Sequence, residues 1–259
     1  MDVCGLAPNE PDSDSGVPVA LIGDVRHTTV GDGNYTETTL GGTVRIGERL
    51  SAGGRVPIVS VHQADERTSG LGNAVAFSQV RLLDTTARTH LALGLQIEAP
   101  TVSDDALGDA HFLMLPNIQL AWSNSSAHFS SILGFGHILD YTSGNSGTDG
   151  HSHHHHGAEA GHTNHSSSIV NRHASREALT RIDGGMAWNA AAARMTAAVR
   201  ADGILELDGD ASDRLIVSTG PVISVSRGTL TAELSALLPV SSARRYESRT
   251  TLRMRVQLP

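Results

Sequence analysis

The chain has 259 residues, a net charge of -8, and basic residues that are all arginine. An acidic chain without lysine argues against a nucleic-acid partner. A hydrophobic fraction of 39%, a mean hydropathy of -0.13 and the lack of any run of eighteen apolar residues exclude transmembrane helices. They do not exclude a transmembrane β-barrel, whose strands are only half apolar.

In chain order, residues 1–15 are rich in Asp, Pro, Gly and Ser and read as a disordered acidic tail. The tail holds the single cysteine, Cys4, which has no partner for an internal disulfide and belongs to no zinc-type pair. It reads as an unpaired thiol. Lipid attachment is the alternative, although no apolar segment precedes it. The N-terminus also lacks the charged and apolar parts of a signal peptide, so an exported protein would be represented here in mature form.

From residue 16 to 259 one pattern recurs, and the stretch Thr89–Pro100 shows it best. Leu91, Leu93, Leu95 and Ile97 share one parity, whereas His90, Ala92, Gly94, Gln96 and Glu98 share the other. Strand side chains alternate faces, so the segment is a strand with one oily face. Its length of about ten residues suits a tilted membrane-crossing strand. Similar segments are expected near 16–27, 36–50, 55–65, 73–84, 87–99, 111–123, 126–141, 177–189, 191–203, 213–226, 228–239 and 246–258. Phe112, Met114, Ile118, Leu120 and Trp122 face away from Asn117 and Gln119. Near the end, Leu252, Met254, Val256 and Leu258 oppose Arg249, Arg253, Arg255 and Gln257. The third and fourth segments alternate less cleanly.

The connections carry a second signal. Those after even-numbered segments are short: Ser51–Arg55, Thr85–Thr86, Asn124–Ser125, the Asn189–Ala190 region and Arg227. Those after odd segments are longer, above all residues 142–176. A soluble sandwich has no reason to alternate this way; an outer-membrane barrel does, with tight periplasmic turns and long external loops. Aromatic girdles are expected from Trp122, Phe129 and Trp188 at the periplasmic rim, and from Phe112, Tyr141 and Tyr246 at the outer rim. The expected fold is therefore all-β, an antiparallel up-and-down transmembrane barrel of about twelve strands in the bacterial outer membrane. The pattern says nothing of oligomeric state.

Short motifs point the same way. Gly70-Leu71-Gly72-Asn73, a strand to Leu83, then Leu91–Glu98 followed by Ala99-Pro100-Thr101, resembles a run in one outer-membrane transporter family. Its members are known as meta-pathway phenol-degradation proteins. Thr219-Gly220-Pro221 and Leu238-Pro239-Val240 are similar to that family as well. Asn73 departs from its usual acid, Ser103 stands where a glycine would, and the chain ends in Leu258-Pro259 without a terminal aromatic. The resemblance spans about residues 40–259 and implies a barrel with a transport role and no defined substrate.

Two groups of residues could carry chemistry. The first is the tract His151, His153, His154, His155 and His156, continued by His162, His165 and His173. Neutral imidazoles ligate copper, zinc, nickel and cobalt, and a loop rich in Gly and Ser can fold several onto one ion. A polar surface loop without a ligand and a pH-responsive loop are the alternatives. The second group is the polar parity of the strands. Arg45, Arg49, Arg181, Arg194, Arg200, Arg249, Arg253 and Arg255, with Glu98, Asp183 and Glu233, are expected to project into the lumen. There they either form charge ladders that fill a narrow barrel or line a path for anions and polar solutes. His90 and His111 are expected inward near the outer side. No nucleophile elbow or spaced His-Glu pair appears, so no enzyme is expected. The function that follows is a channel or transporter for a small solute or metal ion, with an external metal-binding loop. The alternative is a surface metal-binding or adhesion protein whose barrel is only an anchor.

Overall fold

The computed structural model describes residues 19–31, 33–85, 89–108, 111–139, 170, 173–207 and 215–258. Its strands are β1 (Val19–Val30), β2 (Gly33–Ile46), β3 (Leu50–Gln63), β4 (Glu66–Leu71) and β5 (Ala74–Thr85). After these come β6 (Thr89–Ala99), β7 (Phe112–Ser123), β8 (Ala127–Leu139) and β9 (Arg176–Ala190). The last four are β10 (Ala193–Glu206), β11 (Leu215–Arg227), β12 (Leu230–Pro239) and β13 (Ser248–Gln257). Each pairs antiparallel with its neighbours, and β1 pairs both β2 and β13, with Ala20 opposite Gln257. The ring is closed and leaves no free sheet edge.

Thirteen strands make twelve staves. The first half of β3 pairs β5, from Leu50 opposite Val80 to Arg55 opposite Val75. Its second half pairs β4, from Ile58 opposite Leu71 to Gln63 opposite Glu66. β4 and β5 are thus one stave interrupted at Gly72-Asn73. Residues 66–71, expected in an external connection, therefore belong to the wall as β4. A bulge between Arg81 and Leu83 then turns both Leu82 and Leu83 outward.

One end of the barrel, the turn end, carries the start of β1, the end of β13, the turns 47–49, 124–126, 191–192 and 228–229, and the facing ends of β5 and β6. The opposite end carries the long connections 100–111, 140–175, 207–214 and 240–247, and is the loop end. Two expectations need correction. Ser51–Arg55 is no turn: β3 already runs there, because Gly47 takes a φ of 67° and reverses the chain earlier. The first two loop-end connections are also tight, with Gly31 at φ 51° and Ala64 at φ 52°. One left-handed residue is enough to close a hairpin, so the length alternation holds only from β6 onward.

The faces follow the parity. Leu21, Leu40, Leu93, Leu133, Val199, Ile223, Leu234, Leu252 and Met254 point outward and are exposed, Leu93 at 47% and Val199 at 61%. Every stave contributes to this apolar belt. Soluble monomers rarely expose contiguous apolar surface on such a scale, so the exterior is built for hydrocarbon. Trp122 and its cross-strand partner Phe129 lie exposed at the turn end, with Trp188 exposed near the same end of β9. The expected outer girdle is not assembled. Tyr246 is buried beneath Arg249, whose guanidinium carbon lies 4.1 Å from the ring centre. Phe112 is half-buried at the loop end of β7, and Tyr141 lies outside the described residues.

Candidate functional site

The inward parity builds a charged interior whose pairing is set by register. β9 carries Arg181-x-Asp183 and β10 carries Arg200-x-Asp202. Running antiparallel, they place Arg181 opposite Asp202 and Asp183 opposite Arg200. Arg181 Nε donates to Asp202 at 2.7 Å, and Arg200 Nε donates to Asp183 at 2.7 Å. Arg200 Nη1 also reaches Glu233 on β12 at 3.1 Å. On the other side of the seam, Arg26 of β1 donates to its cross-strand partner Glu37 at 3.2 Å, and Thr39 donates to the same carboxylate at 3.0 Å. Arg253 lies opposite both Glu233 and Asp24 and comes within 3.8 Å of the latter. Paired guanidinium and carboxylate groups therefore run across β9, β10, β12, β13, β1 and β2.

This interior is tight. Arg26, Arg181, Arg200, Asp24, Glu37 and Asp183 are all buried. The cavity beside Asp24, Arg55, Phe77 and Arg253 and the one beside Asp202, Tyr246 and Arg249 each have room for about one water. An apolar patch completes the wall at β7–β9, where Leu113, Leu115, Ile132 and Leu179 pack together.

At the loop end, the motif residues of β4, β5 and the β6–β7 connection form a second constellation. Thr101 Oγ1 donates to the Gly72 carbonyl at 2.9 Å and accepts from Ala74 N–H at 2.7 Å, bridging the interrupted stave. Asn73 Nδ2 donates to Glu98 at 3.0 Å. An acid at this position would set two buried carboxylates against each other, so the amide suits Glu98. A Cβ at Gly70 would collide with Ser103 Oγ and Leu107 Cδ1, which shows how closely the connection folds onto the wall. Leu107 ends a 3-10 turn capped by Asp104 and packs with Tyr35, Val59, Val61 and Val170.

Nearby, His173 Nδ1 lies 3.2 Å from Glu177, and Arg245 Nη2 donates to both Glu177 and Glu206 at 2.7 Å. Burial pushes the His173 imidazole down to about 3, so the ring is neutral. The His111 ring stands edge-on to His173, with centroids 5.7 Å apart.

The remaining expected positions fall as follows. Arg45, Arg194, Arg249 and Arg255 have inward parity; Arg45 is half-buried opposite Ser51, and Arg194 donates to the Asn124 carbonyl at 3.1 Å. Arg49 does not line the interior: it is exposed in the 47–49 turn, because β2 ends at Ile46. His90 faces inward at the turn end, not the outer side, because β6 starts there; His111 is at the loop end. His151, His153, His154, His155, His156, His162 and His165 lie outside the described residues, as does the 1–15 tail. Among the described residues no three His, Cys, Asp or Glu side chains are grouped to hold a metal. Asp24, Arg26, Glu37 and Arg55 were missed by the sequence reading, although the parity rule that found the arginines of β13 applies equally to β1 and β2. Asp202 was legible in the repeated Arg-x-Asp. Nothing in the sequence marks Glu177, Glu206 or Arg245.

No protein-family model matches the chain, and no curated protein matches it. Among solved structures, the COG4313 outer membrane channel from Pseudomonas putida F1 is similar at 11% identity, over 97% of this chain and 99% of that one, with a TM-score of 0.64. The NanC porin aligns over 93% of this chain and 99% of its own at 9% identity, with a TM-score of 0.49. At 11% identity the first of these shares the architecture with this chain, a closed antiparallel barrel, which this chain builds from twelve staves.

Proposed function

We propose that the protein is an integral outer-membrane channel that passes small solutes through a narrow interior screened by paired charges. The turn end then faces the periplasm and the loop end faces the medium. The resemblance of Gly70–Asn73 and Ala99–Thr101 to the phenol-degradation family favours transport over anchoring. The observation that carries the reading is the closed antiparallel barrel, similar in architecture to the COG4313 outer membrane channel, with charge on its inward face from Asp183 to Asp24. A barrel serving only as an anchor could fill with apolar side chains at lower desolvation cost, since buried ion pairs are weak contributors to stability. Charges kept inside a membrane protein are costly, and marking a solute path is one of the roles that retains them. Reconstituted in planar bilayers, the protein is expected to conduct, and Arg253→Ala with Arg255→Ala to shift its ion preference away from anions. Absence of any conductance would instead support the anchor.

A second reading concerns residues 151–165, whose histidines favour external capture of copper, zinc, nickel or cobalt. Deleting that segment and measuring metal binding and transport separately tests it. Loss of both ties capture to passage, and loss of binding alone makes the tract a sponge. Unchanged binding removes the tract from consideration.

A further inference from the structure

We propose that His111 and His173 form a divalent transition-metal site at the loop end, one that ties together the bases of two connections. It does not depend on the histidine tract. His111 ends the β6–β7 connection next to Phe112, and His173 lies near the end of the β8–β9 connection, three residues before Arg176. The fold brings these distant positions together because β7, β8 and β9 are neighbouring staves.

The ring geometry fits a shared ion. With metal–nitrogen distances of about 2.0–2.1 Å, two imidazoles on one ion place their ring centres roughly 5–6 Å apart. The observed separation is 5.7 Å, with the rings crossed at 83°. Crossed planes cost nothing there, since each ring turns freely about its own bond to the metal.

His173 carries the orientation expected of a ligand. Its Nδ1 faces the Glu177 carboxylate at 3.2 Å, and Glu177 is fixed in turn by Arg245 at 2.7 Å. Metal-bound imidazoles commonly show this pattern, the carboxylate on one nitrogen aiming the other at the ion. The other nitrogen, Nε2, is buried and has no hydrogen-bond partner. A bare buried acceptor costs free energy, which a bound cation would recover. Two imidazoles with the remaining positions left to water suit copper or zinc in an exchangeable site rather than a closed structural one.

An edge-on contact between two rings is the rival explanation, and metal binding separates the two. The probe is Cu²⁺, titrated into the full-length chain in which the tract histidines are each replaced, His151→Ala through His165→Ala, and followed by electron paramagnetic resonance. One tight equivalent with nitrogen coupling from two imidazoles is expected. His111→Asn in that background should lower affinity at least about tenfold and remove one nitrogen. Glu177→Gln should weaken binding about 10–100-fold with both nitrogens retained. His173→Gln alters a buried residue, so heat-modifiable gel mobility must first show a folded barrel; His111 is half-buried and serves if it does not. If the tract-substituted chain binds no copper, or if it keeps its site after His111→Asn, the proposal fails. The first outcome with a copper-binding parent leaves the tract reading intact.

Discussion

Arg200 shows how much one interior side chain holds. Its buried guanidinium meets Asp183 at 2.7 Å and Glu233 at 3.1 Å. Removing one partner of a buried pair leaves uncompensated charge, and here it leaves two carboxylates. Arg200→Met is expected to destabilise the barrel by about 3–5 kcal/mol. The double swap Arg181→Asp with Asp202→Arg keeps the pair across β9 and β10 and should cost much less. Urea unfolding in lipid vesicles measures both, and equal losses would mean that register does not set the pairing. His173 gives a pH dependence. Its folded value of about 3 lies below the ordinary imidazole value of about 6.5. Between those limits the unfolded segment binds a proton that the folded one refuses. Local stability is therefore complete above about pH 6.5 and falls as pH drops toward 3. Amide exchange of residues 173–177 should speed up at pH 5 relative to pH 7, beyond the intrinsic pH effect on exchange.

At the scale of elements, the decisive feature is the stave broken between β4 and β5. A continuous strand would need no help, but Gly72 and Ala74 flank a break and expose backbone groups that the Thr101 hydroxyl satisfies. Gly70 lets the β6–β7 connection close onto that break, bringing Ser103 N–H to the Leu71 carbonyl at 3.2 Å. Gly70→Val should lift this connection off the wall and pull Leu107 from its contacts with Tyr35, Val59 and Val61. Limited proteolysis between residues 100 and 111 should then become fast, with strand content by circular dichroism unchanged. Cleavage at the parent rate would show that the close approach is not required.

Across the molecule, the apolar belt and the charged interior are two consequences of one alternation. A cation placed on the lipid side therefore tests the whole assignment. Leu93→Arg should cost roughly 2–4 kcal/mol of stability in vesicles, because Leu93 lies mid-strand on the exposed face of β6. Folding and insertion equal to the parent would reverse the inside and outside of the barrel.

Strand number, facing and the inward sets of β9, β10 and β13 were legible in the chain, because side-chain parity is a local property that period-two alternation writes directly. Arg-x-Asp repeated on adjacent strands even contained its own pairing. The turn positions at Gly47 and Ala64 were not legible, since a single left-handed residue shifts a hairpin without changing the hydrophobic pattern. Neither was the broken stave: β3 exchanges one partner for another halfway along, and that depends on where β5 and the β6–β7 connection lie in space. The meeting of His111, His173, Glu177 and Arg245 was likewise decided by the tertiary structure. Those residues come from three connections and one strand end, and only the closing of the barrel brings them within reach of each other.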